Sequence, residues 1–552
     1  MQNKFFCLLA IVIVSISFSA CHQTTSSVAL YIPKDAAVVV EIDTKTVLDK
    51  IKSSGISIDS LMNMFNKNGN GVKWSDIQNS GVDLTKPFFV FSSTINSIQN
   101  GLTESSGVIA PLSARGQFES LLQTNFKLIK TKADTKYQYY DLDDGSMVGW
   151  NNDVIIISSV RINKIDKADE ALSHQQLTTL FNQSKSNSVS SIDAFNDMLN
   201  KTGDVHFWSE VSGNLNNLPM ANSTKIGELF KDTYTEGTID FENGRSVANF
   251  ETHFNSTLSD ILKKYPPKEV DKNMVANYPN PVNGFAVFAF DPGVLVDILH
   301  YVGFDMMANQ YASNLGFTMD DLIKSFSGDV AILFSNSNMN TNSTPMTDTV
   351  MKAPGSQFLV NFKIADTASF NKILNGLSSH NMVMRDGNKI QLQNNGSHNF
   401  LMEVMGSSLI ITSDSTLAAT YVTGSSKNGL PNGTEKEMNN KSMVGYIDIA
   451  SLLQRTGSAD TNAVRISEAA QATFKNFFTT VDKSDDKTLT SHWELNTVNT
   501  NENSLVSLIK FAAVLKQSGK LKYPDGFKKY PPVPGLRDSM QNQNVPQTDS
   551  VQ

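Results

Sequence analysis

The chain has very little cysteine, with two residues in 552, Cys7 and Cys21. Cys7 lies inside an apolar N-terminal segment that is typical of a cleaved export signal, so Cys21 is the one thiol expected in the mature protein. A single thiol excludes a disulfide within that chain, and stability must come from packing and hydrogen bonds. An odd cysteine in an exported protein also calls for its own explanation.

The N-terminus supplies that explanation. Lys4 precedes an apolar run at 5–14, and small residues then lead to Cys21, the order of a secretory signal. The run is shorter than the roughly 20 apolar residues of a membrane span. The preceding residues, FSA, complete a pattern similar to the lipobox of bacterial lipoproteins, with Phe18 in place of the usual leucine. We therefore expect removal of residues 1–20 and lipid attachment at Cys21; an ordinary signal with an incidental cysteine is the alternative.

Basic clusters and a second long apolar run are also missing. The net charge is −8, which argues against a nucleic-acid-binding protein. Hydrophobic residues make up 40% of the chain, enough for real cores, and the length suggests two to four domains. We expect a folded part outside the membrane, tethered to it at one end.

Catalytic and metal-binding motifs are missing as well. No Walker loop, GxSxG elbow or GxGxxG occurs. The histidines form no HxH or HExxH pair and no helical pair at metal-ligand spacing; they are His22, His174, His206, His253, His300, His380, His398 and His492. The sequence thus predicts no catalytic residue, no cofactor and no metal site.

Three features that could suggest ligand binding have simpler explanations. Residues 66–71 read NKNGNG, but the first carboxylate after Asn66 is Asp76, so a tight turn is favoured over a calcium loop. Residues 201–203 read KTG, as in penicillin-recognising serine enzymes, but every SxxK match comes after this tripeptide instead of before it. Trp208 and Trp493 lie in strand-like segments, which favours core packing over sugar stacking.

The most informative positive feature is an internal duplication. The pentapeptide KKYPP occurs at 263–267 and again at 528–532, each time after a helical segment. IDTKTVLDKI at 42–51 matches FDPGVLVDIL at 290–299 without gaps. Aspartates Asp43 and Asp291 match in this alignment, where they would cap the helices that follow. Asn249-Phe250-Glu251 similarly matches His492-Trp493-Glu494. Such self-similarity predicts two copies of one structural unit.

These observations define the expected organisation. We expect a signal peptide at 1–20, a lipidated tether at 21–27, and homologous units at 28–270 and 275–525. Residues 526–552, rich in Pro, Gln and Asn, are expected to be a disordered tail.

The pattern within each unit favours an α+β fold over a parallel α/β sheet. Segments 137–159 and 386–414 read as hairpins with central turn residues. Ser191 is a candidate N-cap for a helix carrying Phe195. We predict two homologous repeats, each an antiparallel sheet with helices packed on one face.

The mature start carries a resemblance. Residues 31–36 read YIPKDA, followed by a hydrophobic strand and the Asp43 turn into a helix. This start resembles a family of uncharacterised lipoproteins from Bacteroides-type bacteria, catalogued as a domain of unknown function. The resemblance implies a bacterial host and a lipoprotein. It supplies no activity and no catalytic residues.

Together these features predict a membrane-anchored envelope lipoprotein that acts as a non-catalytic binding or scaffolding module. Its expected partners are the membrane, through the lipid, and an envelope protein or glycan bound between the two units. An envelope hydrolase acting on glycan or peptidoglycan, with a site assembled from distant residues, is the alternative. Residues 22–29 contain no acidic residue, which favours an outer-membrane protein that faces the periplasm over one exposed at the surface.

Overall fold

The computed structural model describes residues 27–65, 73–97, 101–126, 131–142, 144–162, 168–211, 225–279, 281–336, 356–392, 400–424, 431, 434–453 and 461–518. The expected signal peptide, Cys21 and the expected tail at 526–552 lie outside the described residues. Within the described ranges, no helix combines the length and the apolar character needed to cross a membrane.

The described chain forms twenty strands: β1 Val38–Ile42, β2 Phe88–Ser97, β3 Gly101–Pro111, β4 Lys132–Ala133, β5 Gln138–Asp141, β6 Met147–Trp150, β7 Val154–Ile162, β8 Val205–Glu210, β9 Tyr234–Glu242, β10 Arg245–His253, β11 Gly284–Ala289, β12 Phe326–Asn336, β13 Ser356–Ile364, β14 Val383–Asp386, β15 Lys389–Leu392, β16 Leu401–Met405, β17 Ser408–Thr412, β18 Lys441–Asp448, β19 Phe474–Asp482 and β20 Thr488–Thr497.

The α-helices of the described residues are α1 Thr44–Ser53, α2 Ile58–Phe65, α3 Trp74–Gln78, α4 Arg115–Phe126, α5 Glu170–Phe181, α6 Asp193–Leu199, α7 Ile226–Phe230, α8 Ser256–Leu262, α9 Asn273–Ala276, α10 Gly293–Tyr301, α11 Asp305–Asn314, α12 Met319–Ser325, α13 Thr367–Ser379, α14 Ser415–Thr423, α15 Thr434–Glu437, α16 Ile449–Leu453, α17 Thr461–Thr473 and α18 Ser504–Gln517.

All the strands belong to one antiparallel sheet. The strand order is β4-β5-β6-β7-β3-β2-β1-β8-β9-β10-β20-β19-β18-β11-β12-β13-β17-β16-β15-β14. The prediction of helices combined with antiparallel strands is therefore confirmed, and each of these pairings contradicts a parallel sheet.

We call strands β1–β10 the first half and strands β11–β20 the second half. Read from the outer edge to the centre, the two halves have the same strand order, with each strand number raised by ten. They meet where β10 pairs with β20 along nine residues, a junction that we call the seam. Asn249 lies directly opposite His492 there, and these two residues also match in the sequence alignment. The seam thus joins the innermost strand of one half to the innermost strand of the other.

Helices cover both faces of the sheet in the first half, so the expectation of one covered face is wrong. Phe88 packs with Leu48 of α1 in one core, whereas its neighbour Phe89 packs with Leu177 of α5 in another. Successive side chains of a strand point to opposite faces. A strand covered on both sides therefore reads as a continuous apolar run, as in VIII at 154–157.

Two helices tie the halves together. Helix α18 follows β20 of the second half, yet its Ile509 packs in the core of the first half with Leu48. Helix α8 follows β10 of the first half and packs through Leu258 against Ile298 of α10. Val270, which the sequence analysis placed in the first unit, also packs in the core of the second half.

Local predictions were mostly confirmed. Strands β5, β6 and β7 form the antiparallel arrangement expected for 137–159, and the carboxylate of Asp43 caps α1 by accepting the backbone N–H of Thr46 at 3.0 Å. The centre of the second predicted hairpin lies outside the described residues. The N-cap assignment of Ser191 is wrong, because its hydroxyl donates to the carbonyl of Ser188 in a preceding 3₁₀ turn.

Candidate functional site

An apolar cavity of about 360 Å³ lies in the second half, between helices α10 and α12 and one face of the sheet. Helix α10 contributes Leu295, Val296 and Leu299 to its wall, and α12 contributes Leu322 and Ile323. The remainder consists of Phe290 and Pro292, apolar side chains of β12, β13 and β17, and Gly328 and Asp329 of β12. The volume falls within the roughly 300–1,000 Å³ of small-molecule sites, so we treat this cavity as the candidate site.

The wall is almost free of polar groups. Asp329 is its one charged or hydrogen-bonding side chain, and the hydroxyl of Ser327 donates to it at 2.6 Å. A ligand that placed a polar group inside would find little to hydrogen-bond there. Burying an unpaired polar group costs about 1–3 kcal/mol, so the cavity selects for hydrocarbon.

The corresponding place in the first half is filled. Val47, Leu48 and Ile51 of α1 match Leu295, Val296 and Leu299 of α10 in the gapless alignment. All three α1 residues are buried, with no exposure at Leu48, in the core that also holds Phe88. On α10, by contrast, Leu295 is 54% exposed. Equivalent apolar positions thus close a core in one half and line an open cavity in the other.

The difference follows from the helices that cross between the halves. Helix α18 is 14 residues long, and its Leu505 and Ile509 cover α1 in the core of the first half. Helix α8 is only 7 residues long and reaches α10 on another side, through Leu258 and Ile261. Among the described residues, α8 ends after two turns and packs on α10 through Leu258 and Ile261, whereas Leu295 stays exposed.

Exposed apolar side chains continue around this region. Phe290 and Leu322 of the cavity wall are each more than one-third exposed. Helix α11, which contacts both α10 and α12, carries Met306 at 79% exposure and the exposed Tyr311. Contiguous apolar surface of this kind on a soluble fold typically marks an interaction site.

A second cavity, of about 800 Å³, lies in the first half between α5 and strands β2 and β3. Its lining is rich in hydroxyl and amide side chains, such as Ser105, Gln175 and Asn182, and Asp35 is its one charged residue. The buried hydroxyl of Ser93 has no hydrogen-bond partner among the described residues. This lining suits ordered water or a neutral polar ligand.

Two of the histidines, which form no motif in the sequence, lie against carboxylates in the structure. His206 faces Glu41 across the β1–β8 pair, with Nδ1 at 2.6 Å from Oε2. His253 lies within 3.0 Å of Glu236 and 3.6 Å of Glu251. These contacts were missed because their partners come from other strands.

The Glu41–His206 pair is almost completely buried. Nε2 of His206 lies 2.9 Å from the carbonyl of Lys201, to which it donates, so a second proton must lie between Nδ1 and the Glu41 carboxylate. Burial raises the pKa of Glu41, against the influence of His206. Burial alone would lower the pKa of His206, but the hydrogen bond and charge of Glu41 and the Lys201 carbonyl outweigh it and raise that pKa. The folded pair thus holds its shared proton firmly.

The other residues singled out from the sequence have mixed outcomes. Cys21 lies outside the described residues. Trp208 is buried as expected. Trp493 is 45% exposed, so its assignment to the core is wrong. Its ring packs edge-on against Phe250 at 5.1 Å across the seam.

One feature of the sequence could have indicated the apolar cavity. The first KKYPP begins at 263, directly after α8, whereas the second begins at 528, well beyond the end of α18 at Gln517. The segment before the first KKYPP is therefore too short for a helix like α18.

Comparisons with known proteins add little. No protein-family model matches the chain, and no curated protein is similar enough to indicate a relationship. Two solved structures of TP0453, in crystal forms I and IV, match with TM-scores of 0.24 and 0.22 and identities of 11% and 12%. Each match covers 42% of this chain, and 81% and 85% of the TP0453 chains. Such TM-scores do not establish a shared fold, and nothing about function follows from them.

Proposed function

We propose that this protein is a lipid-anchored lipoprotein of the bacterial cell envelope that binds an aliphatic chain, such as the acyl chain of a lipid, in the cavity beside α10. The observation that carries the proposal is the cavity wall, in which Asp329 is the one polar side chain and is engaged by Ser327. Apolar cavities of this kind stay dry and accept hydrocarbon.

The chemistry of the wall favours an acyl chain over a whole polar metabolite. Only the hydrocarbon part of a ligand gains from entering, at about 0.8 kcal/mol per buried methylene, while a polar head stays in water at the exposed rim near Leu295. The expected attachment to a membrane would keep the protein close to such ligands.

Filling the cavity should weaken binding. We expect the full chain to bind the fluorescent fatty acid cis-parinaric acid, and Val296→Trp to bind it at least about tenfold more weakly. Displacing two methylenes costs about 1.6 kcal/mol, which corresponds to that factor. Fluorescence titration measures the affinity, and circular dichroism checks the fold.

The matched control is Val422→Trp, which places the same bulk on the exposed surface of α14, outside the cavity. It should bind the fatty acid as the unmodified chain does. Equal affinity of both tryptophan variants, or no binding by the unmodified chain, contradicts the acyl-chain proposal. Competition by an amphipathic peptide but not by lipid would point to a partner helix instead.

The lipid anchor is proposed from the lipobox at Cys21. Because one acyl chain anchors a protein only marginally, two or three chains on this residue would make the attachment durable. We expect Cys21→Ala to accumulate in the soluble fraction or as unprocessed precursor, and Cys7→Ala to fractionate with the membrane. Membrane association of Cys21→Ala in processed form would contradict the anchor.

We further propose that the two halves arose by duplication of one unit of ten strands. The shared strand order and the seam between matched residues Asn249 and His492 support this origin. The proposed ligand site then lies within one copy, at the place where the copies differ, and not in a groove between them. The seam is closed by main-chain pairing, which leaves less room for the inter-unit site expected from the sequence.

The alternative, an envelope hydrolase, has less support. A glycosidase needs two carboxylates flanking the bond that it cleaves. Asp35 is the one carboxylate of the polar cavity and Asp329 that of the apolar cavity, and neither cavity includes a histidine in its lining.

A further inference from the structure

A cluster of metal-ligand side chains lies in the first half, away from the apolar cavity. Glu236 of β9 is directly opposite Glu251 of β10. His253 follows two residues after Glu251, so all three side chains are on one face of the sheet. This cluster uses one histidine and two carboxylates, so it lacks the histidine pair by which a metal site is usually recognised in a sequence.

The spacing fits a single small cation. Nε2 of His253 lies 3.0 Å from Oε1 of Glu236 and 3.6 Å from Oε1 of Glu251. One donor atom from each residue falls within 4.8 Å of the others. Zinc bonds of about 2.0–2.2 Å in tetrahedral geometry place ligand atoms about 3.3 Å apart. Two carboxylates with one imidazole are a ligand set that zinc accepts.

Burial supplies an independent indication. Glu236 is only 6% exposed, and its Oε2 has no hydrogen-bond partner among the residues that the structure describes. The other oxygen of this carboxylate, Oε1, contacts His253, so the carboxylate group belongs to the cluster. A buried carboxylate oxygen without a partner is unfavourable, and a bound cation would satisfy it.

The imidazole is held in place by stacking. Tyr234 lies between Trp208 and His253, with ring centroids 4.5 and 4.6 Å apart and interplanar angles of 20° and 19°. This stack fixes the plane of His253 and directs Nε2 at the carboxylates. Oriented ligands of this kind raise metal affinity.

The side chain of Lys201 provides the positive charge that faces the two carboxylates. Its Nζ lies 3.0 Å from Oε1 of Glu236 and 3.9 Å from Oε2 of Glu251. The lysine side chain is 42% exposed and extends from the turn after α6, so it can move into solvent. We infer that Glu236, Glu251 and His253 bind Zn²⁺ reversibly, and that Lys201 is the cation that zinc displaces.

Isothermal titration calorimetry, in which ZnCl₂ is added to the chelator-treated full chain, tests this site. We expect one zinc per chain, and binding at least about tenfold weaker in His253→Gln, because losing even an outer partner of a metal site costs about 10–100-fold. Lys201→Met should bind zinc more tightly, by at least about tenfold, since no ammonium competes for the carboxylates. The control His300→Gln removes an exposed histidine on α10 and should leave zinc affinity unchanged.

The opposite signs expected for Lys201→Met and His253→Gln separate a zinc site from an ordinary ion-pair cluster. If the cluster were a purely structural set of ion pairs, Lys201→Met would only lower the free energy of unfolding, and adding zinc would not raise it again. Absence of zinc binding in both the unmodified chain and Lys201→Met overturns the inference. Equal affinity of His253→Gln and the unmodified chain also does so, because zinc would then bind elsewhere. If His253→Gln does not fold, the direction of the Lys201→Met result decides.

Discussion

Replacing Leu48 with alanine is expected to lower the free energy of unfolding by about 3 kcal/mol, whereas Leu299→Ala should lower it by less than about 1 kcal/mol. Leu48 is completely buried in the core of the first half, where its loss leaves a new cavity. Leu299 lines a cavity that already exists, so its truncation removes fewer contacts. The same chemical change thus measures how differently the two halves are packed.

Denaturant unfolding at equilibrium provides the comparison, with the midpoint and slope fitted for each variant. Saturation with a fatty acid should increase the effect of Leu299→Ala, because the ligand supplies the contacts that the empty wall lacks and stabilises the folded state. Equal losses for the two variants without ligand would mean that the region around Leu299 is as tightly packed as the first core. That outcome would remove the physical basis of the proposed ligand site.

The local elements were largely predictable because local patterns determine them. Asp43 before an apolar helix and the turn residues near Gly145 act within a few positions in the sequence. Coverage of both faces of the sheet is also indicated in the sequence by apolar runs such as FF at 88–89. Such a run is equally compatible with a strand that is buried on one face and happens to carry an apolar residue on the other.

The seam could not be deduced in this way. Pairing of β10 with β20 joins residues about 240 positions apart, and no local pattern distinguishes these strands from others. The alignment of Asn249-Phe250-Glu251 with His492-Trp493-Glu494 did point to them as equivalents. That these two strands are also each other's neighbours is evident only from the three-dimensional pairing.

The candidate sites were missed for different reasons. Leu295 and Val47 are equally apolar, but Val47 lies in a core that includes a helix from the other half, whereas Leu295 is exposed. The cluster at Glu236 depends on the β9–β10 hairpin, whose register follows from the turn at Asn243-Gly244. Asn-Gly is a strong hairpin signal, so this pairing was accessible from the sequence.

The second large effect concerns the buried pair Glu41 and His206. A row of directly opposite residues crosses the seam: Glu41, His206, Thr238, Asn249, His492, Thr480, Val444 and Val287. Counted in strands, the two ends of this row lie equally far from the seam, yet one end has the Glu41–His206 pair and the other has two buried valines. The sheet therefore accepts an apolar pair at the same distance from the seam.

We expect Glu41→Val to lower the free energy of unfolding by about 3–5 kcal/mol, because it leaves His206 buried without its carboxylate. The double variant Glu41→Val/His206→Val should recover most of this loss, as apolar replacements of buried ion pairs often do. A double-mutant cycle by denaturant unfolding measures the coupling. A double variant that is no more stable than Glu41→Val would mean that this place in the sheet does not accept an apolar pair, unlike the place of Val287 and Val444.

The same pair predicts how stability depends on pH. The pKa values of both Glu41 and His206 are raised in the folded state, so the folded chain binds the shared proton more tightly than the unfolded chain does. The contribution of His206 is complete below its ordinary pKa of 6.5 and is lost as the pH rises through its higher folded value. Unfolding measured at a series of pH values should therefore show stability falling above neutral pH, and a flatter profile in the double valine variant. An equal dependence of stability on pH in the unmodified chain and in the double valine variant would contradict a proton held between these side chains. Removing that proton leaves a buried negative charge in the unmodified chain but not in the variant.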